Sequence, residues 1–342
     1  MINVIKCDTI FIIKGCVNMN IEEIKKLPKI ELHLHLDGSV NTKLAGKILG
    51  KTEEEVKNKM IAEKVNNLEE YLEKFDLPIS IMQTKENLIK ISKQLAIDLK
   101  KDNIIYSEIR FAPTFHTKKG LTQEQVVDSV LEGLNSIKEV KTNLILCLMR
   151  GTPYEENLKT ILTAQKYLNN GVVGIDLAGA ENLYPNFLYK KLIKKAKKLN
   201  IPITIHAGEA SNYKSVVSAL KLGAVRIGHG IKTIDNDRLI NRLVKEKIIL
   251  EVCPTSNLQT KIIKTYDKHP IKKLYDKKVL VTINTDNSTV SNITLSEEYE
   301  KLHKTFNFTK SDFKQMNINA INGAFISEKE KLKLKEIIEN NY

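Results

Sequence analysis

The chain has 342 residues, of which 42% are hydrophobic and 28% are charged, and it carries a formal net charge of +13. This composition is typical of a globular protein and excludes an intrinsically disordered chain, and no apolar run approaches the ~18 residues of a membrane-spanning helix. That lack of a spanning run predicts no membrane partner. The lysines are spread along the whole chain without an arginine-rich tract or a cluster of basic and aromatic residues, so we interpret the charge as a solvated surface and expect no nucleic-acid partner.

The N-terminal segment does not have the pattern of a signal peptide. Its short apolar run, residues 9–13, is ended by Lys14 before the apolar core of a signal peptide would be complete. Met19 begins a segment typical of a protein start, so we expect residues 1–18 to be an extension and residues 19–342 to form a single domain. The four cysteines show no C-x-x-C spacing, so we expect reduced thiols and a cytoplasmic location.

The stretch 30–38, I-E-L-H-L-H-L-D-G, alternates apolar and polar residues with a period of two. As a strand it places Glu31, His33 and His35 on one face and leucines on the other. Two histidines on one strand face, one residue apart, can bind a single metal ion. Hydrogen-bonded histidines in an ordinary core strand would show the same pattern, so the stretch alone leaves both interpretations open.

Residues 41–103 show helical patterns and no strong strand pattern. Helices are predicted at 42–50, 52–66, 68–75 and 86–101. This helical segment is longer than a connection between two neighbouring strands requires, so we expect it to cover part of the protein surface.

Seven further apolar, β-branched runs of strand length follow, separated by amphipathic helical stretches. The strands are predicted at 104–111, 143–149, 172–178, 201–206, 224–229, 247–252 and 280–285. The helices are predicted at 122–139, 155–169, 186–199, 212–222, 235–245 and 268–277. With the first strand these make eight units of the α/β class, which predict a (β/α)8 barrel of the TIM type with a helical insertion after the first strand. An open doubly wound sheet is the alternative.

Chemically active side chains collect at the carboxyl ends of these strands, where such barrels carry their active sites. A nitrogen-rich set that suits Zn²⁺ better than Mg²⁺ or Ca²⁺ consists of His33, His35, His206 and Asp286. Glu209, three residues after one of these, is placed to be a general acid. His229, between two glycines, could orient or deprotonate a metal-bound water.

Six motifs occur in order over about residues 27–330: H-L-H-L-D-G, D-L-A-G-A-E, H-A-G-E, G-H-G, C-P-T-S-N and N-T-D. This set resembles the adenosine deaminase family, which are metal-dependent amidohydrolases on an α/β barrel. The resemblance implies one zinc ion per chain, bound by His33, His35, His206 and Asp286. It also implies hydrolytic deamination of adenosine and 2′-deoxyadenosine in purine salvage, with a small-molecule purine nucleoside as the binding partner.

The resemblance also implies roles for the remaining motif residues. Glu209 would protonate N1 of the purine, and His229 would activate the zinc-bound water. Gly179 would hold N3 through its backbone, and Asp37 would bind a ribose hydroxyl. Asn287 stands where the family usually has aspartate facing N7, and it can still offer an NH₂ or a carbonyl there. An apolar lid is implied at Leu68, Tyr71, Leu72 and Phe75, and the same residues could also form the ordinary core of the helical insertion.

Alternatives remain open at this point. Free adenine or a 5′-modified adenine nucleoside would share the same ring chemistry, although Asp37 favours a nucleoside. AMP is disfavoured because no phosphate-binding loop is evident. A catalytically silent nucleoside-binding or RNA-binding protein is the alternative from a different class.

Overall fold

The computed structural model describes residues 19–62, 65 and 68–342 of the chain. The predicted N-terminal extension, residues 1–18, and the side chains of Leu68 and Leu72 lie outside the described residues. The centre of the fold is a sheet of eight strands. These are β1 (Lys29–His35), β2 (Ile104–Phe111), β3 (Lys141–Met149), β4 (Val172–Ala178), β5 (Ile203–Ala207), β6 (Arg226–His229), β7 (Ile249–Val252) and β8 (Leu280–Ile283).

The strands follow one another in chain order, and each neighbouring pair is parallel. The chain just after β8 meets β1. There the N–H of Asp286 donates to the carbonyl of His33 (3.0 Å), and the N–H of His35 donates to the carbonyl of Asp286 (2.7 Å). These bonds join the two ends of the sheet. The predicted (β/α)8 barrel is therefore confirmed, and the open doubly wound sheet is excluded.

Helices precede, connect and follow the strands. α1 (Ile21–Lys26) precedes β1, and the insertion after β1 contains α2 (Thr42–Leu49), α3 (Glu53–Met60), α4 (Leu68–Glu73), α5 (Asp76–Ile81) and α6 (Lys85–Lys101). The later connections contain α7 (Gln123–Leu134), α8 (Tyr154–Lys166), α9 (Lys190–Lys198), α10 (Tyr213–Leu222), α11 (Asp237–Glu246), α12 (Pro254–Gln259) and α13 (Ile271–Asp276). Across the described part of the chain, no helix has the length and apolarity to cross a membrane.

Some helix boundaries differ from the sequence prediction. The helix predicted at 52–66 ends at Met60, because Ile61 takes up extended backbone. The helix predicted at 122–139 ends at Leu134, and Ser136 then folds its hydroxyl back onto the carbonyl of Gly133. α5 and α12 were not predicted, since each is a single short helix without a full apolar repeat.

Three C-terminal helices were also missed: α14 (Leu295–Phe306), α15 (Lys310–Gly323) and α16 (Glu328–Asn341). Each begins with a capping box, in which a Ser or Thr side chain accepts the N–H of an acidic residue three positions on. The capping residues are Thr294, Thr309 and Ser327. This pattern is visible in the sequence as T-L-S-E, T-K-S-D and S-E-K-E, and it could have located the helices.

Candidate active site

A cavity of about 380 Å³ opens at the carboxyl ends of the strands. The predicted site residues that line it are His35, Asp37, Tyr71, Phe75, Gly179, His206, Glu209, His229, Asp286 and Asn287. His33 lies just behind this surface and is fully buried. The structure therefore brings the predicted metal, acid, base and substrate residues to one place, as expected for the carboxyl ends of a parallel barrel.

Imidazole and carboxylate groups converge at the floor of the cavity. His33 Nε2 lies 3.3 Å from Asp286 Oδ1, and His35 Nε2 lies 3.4 Å from the same oxygen. His35 Nε2 is also 3.4 Å from His206 Nε2. An overlapping set of ligand atoms, all within 4.8 Å of one another, belongs to His33, His206, His229 and Asp286. Five side chains thus present possible metal-ligand atoms to one small region.

The backbone around this cluster is under local constraint. His229 and Asp286 both have left-handed backbone, with φ of 58° and 64°, which is uncommon for residues other than glycine. Gly228 lies beside the rings: a Cβ there would be 3.1 Å from His33 Cε1 and 3.3 Å from the Cα of His206. Backbone strain of this kind persists where the surrounding structure enforces it, and it concentrates at functional sites.

Buried carboxylates orient two of the histidines from behind. Glu251 Oε2 lies 2.9 Å from His33 Nδ1, and Asp176 Oδ2 lies 2.8 Å from His206 Nδ1. Arg110 joins the two carboxylates, with Nη1 2.9 Å from Asp176 and Nη2 2.7 Å from Glu251. A carboxylate on Nδ1 fixes the ring and leaves Nε2 free for a metal.

His35, His229 and Asp286 are in the protonation states that bind a cation. Burial lowers the pKa of His35 and of His229 well below the usual value, so both rings are neutral and can offer a lone pair. Burial alone would raise the pKa of Asp286, but the hydrogen bond from His33 and the nearby histidine rings hold it well below its usual range. Burial and the charge of Arg110 would lower the pKa of His33, but its hydrogen bonds with Asp286 and Glu251 raise it above the usual value. The neutral rings of His35 and His229 beside an ionised carboxylate are suitable donors for a divalent transition metal.

Glu209 lies in the cavity lining next to His229. Its Oε2 is 3.5 Å from His229 Nε2, and its Oε1 accepts a hydrogen bond of 3.2 Å from Asn257 Nδ2. Burial raises the pKa of Glu209 to about 8, helped by the negative charges of Asp286 and Glu181. The carboxyl group therefore keeps its proton at neutral pH.

The loop that carries Glu209 is held by a second acid. Glu181 accepts the N–H groups of Gly208 (2.7 Å), Glu209 (3.2 Å) and Ser211 (2.9 Å). Gly208 has φ of 68°, and a Cβ there would lie 2.5 Å from Val216 Cγ2, so only glycine fits this turn. Three convergent backbone donors on one buried carboxylate make the position of the Glu209 backbone well defined.

Two polar atoms of the predicted substrate residues have no hydrogen-bond partner among the described residues. These are Oδ1 of Asp37 and Oδ1 of Asn287, and both are buried. Burial raises the pKa of Asp37 to about 6. The NH₂ group of Asn287 donates to the hydroxyl of Tyr71 at 3.0 Å. Gly38 makes room for this amide, since a Cβ there would lie 1.9 Å from Asn287 Oδ1.

The predicted lid is described at two of its four positions. Tyr71 and Phe75 line the cavity with their ring centroids 6.1 Å apart. The Tyr71 hydroxyl also lies 3.1 Å from Ser291 Oγ, so the insertion is tied to the chain after β8. α5 adds Asp76 and Ile79 to the lining, a contribution that was not predicted.

Sequence reasoning did not assign roles to Asp176, Glu251 and Asn257. A signal was present for the first two, because a single acidic residue inside a buried apolar strand, as in V-V-G-I-D-L-A, must have a buried partner. The partner of each acidic residue could not be inferred from the sequence, because partners can be far apart along the chain. Glu251, for example, is 218 residues from His33.

Comparison with known proteins assigns the family. The family model of adenosine deaminase matches residues 28–341. The chain belongs to the adenosine deaminase family. An adenosine deaminase of Clostridium perfringens is 43% identical to it over 330 residues, which cover 91% of this chain and 98% of the relative. Another, of Enterococcus faecalis, is 38% identical over 335 residues, which cover 95% and 99%. The family predicted from the six motifs is confirmed.

Solved structures with the same fold include two other deaminases. The N6-methyl-AMP deaminase of Arabidopsis thaliana superimposes with a TM-score of 0.84 at 28% identity, covering 94% of this chain and 98% of that one. The adenine deaminase of Arthrobacter aurescens gives a TM-score of 0.82 at 24% identity, covering 92% and 98%. The latter similarity supports the fold alone.

Proposed function

We propose that this member of the adenosine deaminase family hydrolyses adenosine and 2′-deoxyadenosine to inosine and 2′-deoxyinosine, with release of ammonia, in purine salvage. The observation that carries this proposal is the pairing of a protonated Glu209 with a neutral His229, 3.5 Å apart, beside the histidine and aspartate cluster. A proton donor next to a metal-ligand cluster is the arrangement that deamination of an aromatic amidine requires.

We infer that the cluster holds one zinc ion, because three imidazoles and one carboxylate suit Zn²⁺ better than Mg²⁺ or Ca²⁺. The four ligands are His33, His35, His206 and Asp286. His229 is not among them, since both its ring nitrogens face other partners, Asn257 and Glu209. A zinc ion lowers the pKa of a coordinated water toward about 7 and so supplies a nucleophile at neutral pH.

Glu209 supplies the proton that makes the purine reactive. A neutral purine ring resists attack at C6 until N1 is protonated. Asn257 donates to Oε1 of Glu209, so the proton of the acid belongs on Oε2, the oxygen on the His229 side. Because the pKa of Glu209 is about 8, its carboxyl group is mostly protonated at pH 7.

The substrate is held through its edges and its ribose. The unpartnered Oδ1 of Asp37 is suited to a ribose hydroxyl, and the N–H of Gly179 to purine N3. Asn287 faces N7. In the orientation described above, the NH₂ group of Asn287 donates to the Tyr71 hydroxyl. Rotating the side-chain amide by about 180° exchanges its oxygen and nitrogen. Oδ1 then accepts from the Tyr71 hydroxyl, and the NH₂ group is free to donate to N7.

A nucleoside is favoured over AMP by the charges of the cavity. Among the described lining residues, Arg150 is the one with a permanent positive charge. Its guanidinium is already bonded to the carbonyls of Tyr184 and His206 and to the side chain of Asn186. Of its nitrogen atoms, only the buried Nε–H is left without a partner among the described residues, so a 5′-phosphate would find neither a free guanidinium fork nor an amino group in the described lining.

We further propose that residues 19–342 act as one catalytic unit and that 41–103 cover its cavity as a lid, which Tyr71 and Phe75 support. A lid keeps bulk water away from the reaction. The cytoplasmic location stays a prediction. It is supported by Cys147 and Cys253, which are buried free thiols.

The test is to follow the ultraviolet absorbance of adenosine, 2′-deoxyadenosine and adenine with the purified zinc-loaded protein. Both nucleosides should be converted, and adenine should be turned over about 100-fold less efficiently because it lacks the binding energy of the ribose. If none of the three compounds is deaminated, the proposal is contradicted. Faster turnover of adenine would make the free base the substrate.

A further inference from the structure

A chain of largely buried hydrogen bonds reaches the two reactive side chains, His229 and Glu209, from the start of α13. It begins at the backbone N–H of Ile271, the first residue of α13, which donates to His269 Nδ1 at 3.1 Å. His269 Nε2 lies 3.3 Å from Asn257 Oδ1. Asn257 Nδ2 in turn lies 3.1 Å from His229 Nδ1 and 3.2 Å from Glu209 Oε1. We call this chain, Ile271–His269–Asn257, the amide relay.

The direction of the amide relay is set at its start. A backbone N–H can only donate, so His269 Nδ1 must accept. His269 is buried, and burial lowers its pKa to about 3, so the ring is neutral and its one hydrogen must be on Nε2. Nε2–H then donates to Asn257, which identifies the facing atom of the amide as Oδ1.

The opposite orientation of the Asn257 amide is excluded. If Nδ2 faced His269, then Nε2 of His269 would have to accept a hydrogen bond while Nδ1 accepts the N–H of Ile271. A ring with two accepting nitrogens has no hydrogen and would be an imidazolate, which is not a state of histidine at neutral pH. The amide orientation is therefore fixed by the backbone of α13.

We propose that Asn257 and His269 are positioning residues, which direct the hydrogens of His229 and Glu209 toward the substrate. Asn257 Nδ2 donates to His229 Nδ1, so the hydrogen of the neutral ring is on Nε2. The same NH₂ group donates to Glu209 Oε1, so the acid proton is on Oε2. The hydroxyl of Thr260, 3.5 Å from Glu209 Oε1, is on the same side.

This assignment rests on the proposed function and decides between the two roles open to His229. With its hydrogen on Nε2, His229 donates a hydrogen bond to the attacking oxygen and so orients that oxygen. The ring then does not act as the base that removes a proton from the attacking water. Glu209 and His229 are then both donors toward the reacting atoms, and the amide relay holds both in this state.

A matched pair of variants at His269 tests the proposal. Glutamine places an NH₂ group near the position of Nε2 and can still donate to Asn257, whereas leucine fills similar space and cannot. His269→Leu should lower kcat for adenosine about 10- to 100-fold, the range of one misoriented catalytic group, with KM changed less than about threefold. His269→Gln should retain kcat within about fivefold.

The direct readout is nitrogen-15 NMR of the histidine rings in the zinc-loaded protein, with the His229 signals identified by their loss in His229→Gln. We expect the hydrogen on Nε2 in the wild type and in His269→Gln, and a shift toward Nδ1 in His269→Leu and Asn257→Ala. A wild-type protein with the hydrogen on Nδ1 overturns the proposal, as do equal losses of kcat in both His269 variants. The wild-type spectrum decides even if His269→Leu fails to fold.

These outcomes are separable from those of the proposed function. The spectrum requires no turnover, so absence of adenosine deamination would defeat the proposed function and leave the tautomer of His229 to be read directly. An active wild type with hydrogen on Nδ1 would defeat the amide relay alone.

Discussion

Glu209→Gln separates proton transfer from metal binding. Glutamine has the volume of glutamate and can keep a contact with Asn257, but it has no acidic proton to give to purine N1. Loss of a general acid costs about 10²- to 10⁴-fold, so kcat should fall by that factor, which corresponds to about 3–5 kcal/mol of transition-state stabilisation. KM for adenosine should change little, because the ribose and purine-edge contacts of Asp37 and Asn287 remain.

The assay measures kcat and KM by ultraviolet absorbance, and zinc per chain by elemental analysis of the same samples. Glu209 is not one of the proposed ligands, so the variant should keep one zinc ion. Loss of the metal, or a fall in kcat of less than about tenfold, would refute the assigned role.

The pH dependence of the wild type provides an independent check on the same residue. Burial raises the pKa of Glu209 to about 8, so roughly nine-tenths of the carboxyl is protonated at pH 7 and about one-tenth at pH 9. Activity should therefore decline about tenfold per pH unit above pH 8, and this decline should be absent in Glu209→Gln. A rate that increases through pH 9 would contradict the role of a protonated acid.

Three further substitutions test the remaining assignments. Asp37→Ala should raise KM for adenosine by about 10-fold or more, which is the value of one hydrogen bond to a charged group, and it should hardly affect turnover of adenine. Equal effects on both substrates would contradict a contact between Asp37 and the ribose. Asn287→Ala should raise KM for adenosine about tenfold but change that of 7-deazaadenosine much less, since the latter lacks the N7 acceptor, and parallel changes would show that Asn287 does not meet N7. Asp176→Asn should weaken zinc binding about 10- to 100-fold in competition with a chelator, because His206 loses the carboxylate on Nδ1, and unchanged affinity would contradict that role.

The barrel could be predicted from local pattern because its first strand alternates apolar and polar residues, its later strands are apolar, β-branched runs, and its helices are amphipathic. The convergence of His33, His35, His206 and Asp286 could also be predicted, since the first two share a strand face and the others lie at or just after strand ends. The C-terminal helices α14–α16 were not predicted because they lie beyond the alternation of strands and helices that identifies the barrel, although capping boxes mark their starts.

Interactions between distant segments could not be predicted in the same way. Arg110 links Asp176 to Glu251 inside the barrel, and the amide relay joins Asn257 to His269, but no local sequence pattern shows which of these residues meet. Each depends on side-chain directions that only the closed barrel defines. For the same reason the sequence left two roles open for His229, and the hydrogen-bond partners of its ring were needed to choose between them.

The most direct test of metal-assisted deamination is a zinc titration of the chelated protein, with inosine formation from adenosine measured at each step. The proposed four-ligand site predicts no turnover without metal and activity that rises in proportion to zinc until one ion is bound per chain, then stays constant. Full activity in the metal-free protein, or activity that does not follow zinc content, would contradict it.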